Sequence, residues 1–207
     1  MKLGLISDVH GDPLALELAW AHLRVMGADR IVCAGDLVGY GPRPDRVVKF
    51  LDEHKITSVR GNHDRWALQR GLGGVDEHGG GPVDAATLKH LDALCPSLEF
   101  RVGDLDVMVA HGAPGDDLRY ITAQSYPPEA LRGLLEAHRV GLLVVGHTHR
   151  PMLFRCDLGM VVNPGSIVSA AAVRTSRTFA LADLEAGTVG FHDVETGRAV
   201  RIKVIGA

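Results

Sequence analysis

Leu3-Gly4-Leu5-Ile6-Ser7-Asp8-Val9-His10 is an apolar run closed by two side chains that can hold a metal ion. The run reads as a buried strand. An extended backbone points residues i and i+2 the same way, so Asp8 and His10 are expected on one side at its end. The same pattern recurs along the chain. Ile31-Val32-Cys33-Ala34 precedes Gly35-Asp36, and Thr57-Ser58-Val59 precedes Arg60-Gly61-Asn62-His63-Asp64. Val107-Met108-Val109-Ala110 precedes His111-Gly112, and Leu142-Leu143-Val144-Val145 precedes Gly146-His147-Thr148-His149. Open α/β sheets place their sites just beyond the carboxyl ends of the strands. These bursts are therefore expected to converge.

The connecting segments support an α/β reading. Asp12 and Pro13 suit a helix start, and Leu14, Leu16, Leu18, Ala19, Leu23 and Met26 keep helical spacing until Gly27 stops it. Gly39-Tyr40-Gly41-Pro42-Arg43-Pro44 is turn-rich, and Val47, Val48, Phe50 and Leu51 suggest a helix to about His54. The resulting β-α-β-α-β run implies right-handed crossovers and a largely parallel sheet. A helix is expected over about 83–94, a hairpin across Gly103-Asp104, and a helix from Pro127-Pro128 to about His138 with Ser125 or Tyr126 near its cap. Beyond His149 helical spacing stops. Met152–Cys156, Met160–Asn163, Thr178–Leu184, Thr188–Asp193 and Ala199–Val204 read as short strands of an antiparallel sheet, packed against or continuing the first. With no linker and no repeat, residues 1–207 are read as a single domain.

The 207 residues leave room for a substantial core, and the formal charge of −3 gives no electrostatic reason to expect duplex nucleic acid or an anionic membrane. No apolar run reaches the length of a membrane span and no signal-peptide pattern opens the chain, so a cytoplasmic protein is expected. Cys33, Cys95 and Cys156 are odd in number and widely spaced, which fits a reducing compartment, and Cys33 reads as core. Of the 11 histidines, His22, His54, His78, His90, His138 and His192 fall in helical or loop patterns and read as solvated or locally satisfied. Two readings stand for the glycine-rich residues 71–82: a flexible surface connection, or a flap near the site.

One D-x-H says little. The sum of the bursts says more, because crowded carboxylates and imidazoles are costly without a cation or proton partner. Carboxylate, imidazole and amide oxygen without thiolate suit manganese, iron or zinc, whereas an all-oxygen set would suit magnesium or calcium. Seven candidate ligands are too many for one tetrahedral ion. They fit two ions sharing a carboxylate, about 3.5–4 Å apart, which hold a hydroxide nucleophile and clamp both oxygens of an in-line phosphoryl displacement.

Asp8-Val9-His10, Gly35-Asp36, Gly61-Asn62-His63-Asp64, His111 and Gly146-His147-Thr148-His149, followed by Asn163-Pro164-Gly165-Ser166, stand in the order of the calcineurin-like metallophosphoesterase superfamily. Over about residues 3–166 the chain resembles that family, and its size and motif pairing resemble the small YfcE-type bacterial and archaeal phosphodiesterases. The resemblance implies a four-layer α-β-β-α sandwich, two mixed β-sheets flanked by helices. It implies one metal on Asp8, His10, Asp36 and His149, and a second on Asp36, Asn62, His111 and His147. His63 would donate to the phosphate or protonate the leaving oxygen. Asp64 is counted with it as catalytic, either orienting His63 or only capping the segment that follows. Arg60 would help balance substrate charge or simply lie on the surface.

Manganese is favoured, with iron, zinc and nickel as alternatives. The expected activity is hydrolysis of small phosphodiesters or nucleotides by a metal-bridging hydroxide. The alternatives are a phosphomonoesterase, a dinucleoside polyphosphate hydrolase and, more remotely, a catalytically silent protein-binding scaffold. A homo-oligomer is allowed. Protein Ser/Thr phosphatases carry G-D-x-V-D-R-G, whereas Gly35-Asp36-Leu37-Val38-Gly39-Tyr40-Gly41 lacks the acidic partner and the arginine. That argues against a protein phosphatase. Ser166 is followed by Ile167-Val168-Ser169-Ala170-Ala171-Ala172, with Arg174 and Arg177 later, in place of the Gln-Pro-Arg-like stretch of many small relatives.

Overall fold

Alternate residues of the first strand enter different cores. In β1 (Lys2–Ile6), Leu3 and Leu5 are fully buried in an apolar layer with Val32, Val107, Val144 and Val162. Ile6 faces the other way and packs with Leu16, Ala19 and Leu23 of α1 (Pro13–Val25). Burying each such Leu or Ile contributes about 1.5–3 kcal/mol. A strand buried on both faces needs a layer on each side, and the chain supplies them. The structure, a computed structural model, describes residues 1–75, 80–168 and 177–206.

The remaining elements follow in order: β2 (Arg30–Cys33), α2 (Pro44–Glu53), β3 (Thr57–Ser58), α3 (Asn62–Arg70), α4 (Ala85–Ala93), β4 (Ser97–Val102), β5 (Leu105–Ala110), α5 (Pro128–His138) and β6 (Leu142–Val144). Then come β7 (Met152–Cys156), β8 (Gly159–Asn163), β9 (Thr178–Asp183), β10 (Thr188–Asp193), β11 (Ala199–Val200) and β12 (Val204–Ile205). One sheet has the order β11-β10-β9-β1-β2-β3 and the other β12-β7-β8-β6-β5-β4. β1, β2 and β3 run parallel, as do β5, β6 and β8, while β9 and β10 are antiparallel. Both sheets are mixed. Leu3, Val32, Ala182 and Phe191 of the first meet Val107, Leu142, Leu153 and Val162 of the second. Helices α1, α2 and α3 cover the outer face of the first sheet, and Leu131 and Leu135 of α5 cover that of the second. This is the expected α-β-β-α arrangement.

Local signals explain the helix ends. The Asp12 carboxylate accepts from the Ala15 N–H at 3.0 Å, and Gly27 takes φ +82° just past the last turn of α1. Asp84 caps α4 at 2.7 Å. The expected cap on α5 is corrected. Pro127 occupies that position without a side-chain bond, and the Ser125 hydroxyl pairs with that of Thr122 at 2.9 Å instead. Helix α3 is absent from the sequence reading. Its buried positions are Asn62, His63, Asp64 and Ala67, so it carries no apolar stripe to detect.

The late strands are also reallocated. They form neither a sheet of their own nor a single continuation. β9, β10 and β11 extend the first sheet, whereas β7, β8 and β12 belong to the second. The stretch expected as one strand over Ala199–Val204 splits. Its start pairs with β10, its end with β7, and Arg201-Ile202-Lys203 crosses between the sheets. Among the described residues no helix is long and apolar enough to cross a membrane. In the glycine-rich stretch, residues 76–79 lie outside the described residues, and Gly81 donates its N–H to Gly41 O at 2.9 Å. Arg174 and the stretch 169–173 likewise lie outside them, while Ile167 and Val168 are fully buried.

Candidate metal centre and active site

All the ligand-type bursts leave the carboxyl ends of parallel strands: Asp8 and His10 after β1, Asp36 after β2, Asn62 after β3, His111 after β5, and His147 and His149 after β6. The two sheets therefore aim their ligands at one place. The backbone route differs from the expectation for Asp8 and His10. Neither lies on extended chain: their φ angles are 53° and 49°, and Asp36, His147 and His149 are also left-handed at 55°, 66° and 55°. A non-glycine residue in this region costs on the order of 1–3 kcal/mol. The loops hold one another in it. Asp8 N–H donates to Gly35 O at 3.0 Å, His10 N–H to Asp36 O at 2.9 Å and Gly146 N–H to His111 O at 2.7 Å.

Two glycines are dictated by close approach. A Cβ on Gly61 would stand 2.1 Å from Asp36 Oδ1, and one on Gly39, itself at φ +92°, would stand 2.5 Å from His63 Nδ1.

Asp8, His10, Asp36, Asn62 and His111 are all but fully buried, and they form groups within ligand distance: Asp8–His10–His149, His10–Asp36–His63 and Asp36–His111–His147. Carbonyls fix which imidazole nitrogen faces inward. His10 Nδ1 lies 3.0 Å from Val38 O and His111 Nδ1 2.7 Å from Ala34 O, so each donates there and turns Nε2 inward. His147 is tied the other way: its Nε2 lies 3.1 Å from Leu118 O, which frees Nδ1. His111 Nε2 stands 2.9 Å from Asn62 Oδ1 and 3.1 Å from Asp36 Oδ2, and His10 Nε2 stands 2.9 Å from His149 Nε2.

The carboxylates are half committed. Asp8 Oδ2 accepts from Ser7 Oγ at 2.6 Å and from His147 N–H at 3.2 Å. Its Oδ1 is buried without a hydrogen bond, facing His149 Nε2 at 3.2 Å. Asp36 Oδ1 accepts from the His63 N–H at 2.9 Å and leaves Oδ2 to the imidazoles.

Charge balance in this pocket is tight. Burial disfavours charge on His111, but the Asp36 carboxylate wins and raises it to about 10. Burial and then His149 act oppositely on Asp8, and His149 keeps it below the usual carboxylate range. His10, pushed down to about 4 by burial, is neutral, as a ligand must be. Buried carboxylates, inward-turned imidazoles and an amide oxygen form a donor set that suits divalent cations.

Asn163-Pro164-Gly165-Ser166 braces the centre. Asn163 Nδ2 donates to Gly146 O at 2.7 Å and Thr148 Oγ1 at 3.0 Å, and Ser166 Oγ donates to Asp8 O at 2.9 Å. Asp64 is wholly buried. Its Oδ1 accepts from Leu37 N–H at 2.8 Å and Val38 N–H at 3.1 Å, and its Oδ2 from Gly61 N–H at 2.9 Å. Burial and the nearby Asp36 charge push it up to about 7.

A cavity of about 360 Å³ opens over the ligands, lined by Tyr40, His63, Trp66, Tyr120, Thr148 and Arg150 among others. Sequence reasoning missed Tyr40, Trp66, Tyr120 and Arg150 as site residues. Arg150 adjoins the last ligand and Tyr40 sits in the turn-rich loop, but nothing near Tyr120 marks it. Arg60 does not line this cavity; it borders a separate one with Arg65, His111 and Asp117. Of the histidines read as locally satisfied, His54 packs on Trp20 at 4.3 Å, His90 lies 3.1 Å from Asp52, and His192 Nδ1 lies 3.1 Å from Gly197 O. His78 lies outside the described residues.

Comparison with known proteins agrees with this geometry. Phosphodiesterase YfcE of Escherichia coli K12 is 28% identical over 177 residues, covering 81% of this chain and 79% of that protein. The crystal structure of a metallophosphoesterase from Sphaerobacter thermophilus superposes with a TM-score of 0.69 at 26% identity, covering 98% of this chain and 89% of that one. A hypothetical protein of Pyrococcus horikoshii OT3 shares the fold, with a TM-score of 0.73 at 22% identity over 94% of this chain and 88% of the other. Residues 1–187 match the model of the calcineurin-like phosphoesterase superfamily domain, so the chain belongs to that superfamily, as a hydrolase of phosphoric esters.

Proposed function

We propose that this protein is a phosphodiesterase acting on small phosphodiesters or nucleotides with two divalent ions bound, manganese favoured. One observation carries the reading: the buried Asp8 Oδ1, 3.2 Å from His149 Nε2, stands beside imidazole nitrogens that carbonyl groups have already oriented inward. Asp8, His10, Asp36 and His149 would hold one ion, and Asp36, Asn62, His111 and His147 the other. When bound, the ions supply positive charge to phosphoryl oxygens and a nucleophile drawn from water.

The chain supplies the rest. His63 stands in the cavity wall with its ring 5.0 Å from Tyr40 and 4.9 Å from Trp66, and it gives a proton to the leaving oxygen as the P–O bond breaks. Asp64 positions the Leu37-Val38 loop and the start of α3 rather than touching substrate. Arg150 brings a guanidinium to the edge of the cavity. Tyr40, Trp66 and Tyr120 give the ester's organic groups apolar faces, which favours a diester with two substituents over a monoester. We read the chain as one domain working in a reducing cytoplasm, on the evidence of free Cys33, Cys95 and Cys156.

The test uses metal-stripped protein reloaded with Mn²⁺, with bis-p-nitrophenyl phosphate set against p-nitrophenyl phosphate and Asp36→Asn as control. Faster diester hydrolysis, lost in the variant, supports the proposal. A preference for the monoester overturns the diesterase reading. No turnover of either compound with manganese, iron, zinc or nickel overturns the enzymatic one.

A further inference from the structure

A second groove of about 320 Å³ adjoins the catalytic cavity and shares Thr148 and Arg150 with it. Its floor is apolar: Ile121 and Met152 are buried, and Ile202 and Ile205 are half-buried. Its rim carries exposed Arg150, Arg201 and Lys203, and no carboxylate lines it. Among the described residues none of these three cations has a carboxylate partner. The chain carries a net charge of −3, yet it gathers three unpaired cations beside its reaction centre.

The placement has a cause in the topology. Residues 201–203 are the crossover between the sheets, and the pairing of Val204 with Leu153 lays them alongside the loop that carries His147 and His149. They lie beyond residues 1–187, the part matched to the superfamily.

We infer that the preferred substrate is a nucleotide ester carrying a second phosphate, with the ester at the ligand cluster and the second phosphate among Arg150, Arg201 and Lys203. An apolar floor with a cationic rim matches a sugar and base that end in a phosphate, and Arg recognises phosphate through paired donors. The inference rests on the phosphodiesterase reading above.

Two chromogenic esters that differ by one phosphate test it: thymidine 5′-(p-nitrophenyl phosphate) and its 3′-phosphorylated form. With the Mn²⁺-loaded full chain, the 3′-phosphorylated ester is expected to show about tenfold higher kcat/KM, the weight of one charge-assisted contact. In Arg201→Gln/Lys203→Gln the ratio between the two esters falls to about twofold or less, and added salt shrinks it in the wild type. Equal kcat/KM for the two esters in the wild type, or a ratio that survives the double substitution, overturns the inference.

Calorimetric titration of the protein without added metal, using thymidine 3′,5′-bisphosphate against thymidine 5′-monophosphate, separates the two claims. Preference for the bisphosphate without hydrolysis of either ester keeps the groove and overturns the esterase. Hydrolysis of both esters without any binding preference keeps the esterase and overturns the groove.

Discussion

His111 Nε2 lies 3.1 Å from Asp36 Oδ2, and this buried contact ties the two sheets together at the site. Asp36 follows β2 of the first sheet and His111 follows β5 of the second. Without metal, charge on His111 is sustained by Asp36 against the cost of burial. The same two groups are ligands in the proposed centre, so the loaded and metal-free proteins depend on one pair for different reasons.

Asp36→Asn removes the carboxylate and leaves His111 buried beside a neutral amide. Breaking a buried pair from one side costs about 3–5 kcal/mol. Urea unfolding in EDTA is expected to show that loss relative to wild type. Elemental analysis of the variant after reloading with Mn²⁺ is expected to find fewer ions per chain. Unchanged stability would mean the pair carries no weight in the metal-free state.

His63→Gln tests the proton donor. General acid catalysis contributes about 10²–10⁴-fold, and kcat should fall by that order for a diester with an alkyl leaving group. The loss should be smaller for p-nitrophenolate, which needs less help to leave. Metal content should stay at the wild-type level. If it drops, the grouping of His63 with His10 and Asp36 makes it a ligand rather than an acid.

Asp64→Asn keeps the shape but weakens acceptance from three backbone N–H groups. Leaving one such buried donor unsatisfied costs about 1–3 kcal/mol. Thermal unfolding should shift down accordingly, while kcat falls much less than in His63→Gln. A collapse of kcat with stability intact would return Asp64 to a direct catalytic role.

Ser7→Ala removes the 2.6 Å hydrogen bond to Asp8 Oδ2. Partners that orient a ligand are typically worth 10–100-fold in metal affinity. Chelator competition should show Mn²⁺ affinity lowered by that amount, with the fold retained by circular dichroism.

Cys33 is wholly buried, and burial pushes its thiol up to about 12, whereas Cys95 is exposed. At pH 8 a thiol reagent should modify Cys95 in the native protein and reach Cys33 only with unfolding. Rapid native-state labelling of Cys33, read by mass spectrometry, would contradict its place in the core.

The sequence alone showed the candidate ligand types, because coordination chemistry resides in residue type: the proposed ligands Asp8, His10, Asp36, Asn62, His111, His147 and His149 each follow an apolar run. It also determined the ends of α1, since Asp12 and Gly27 act within one turn of the chain. Tertiary structure decided what depends on distant pairing. Leu3 pairs with Ala182, and Leu153 with Val204, so the division of the late strands between two sheets rests on partners that no local pattern specifies. Helix α3 was illegible because its buried face is polar, satisfied by loops brought from elsewhere. Asp8 and His10 converge through left-handed backbone that neighbouring loops enforce, not through strand alternation. Tyr120 and Arg201 reach the site and its adjoining groove only because crossovers carry them there.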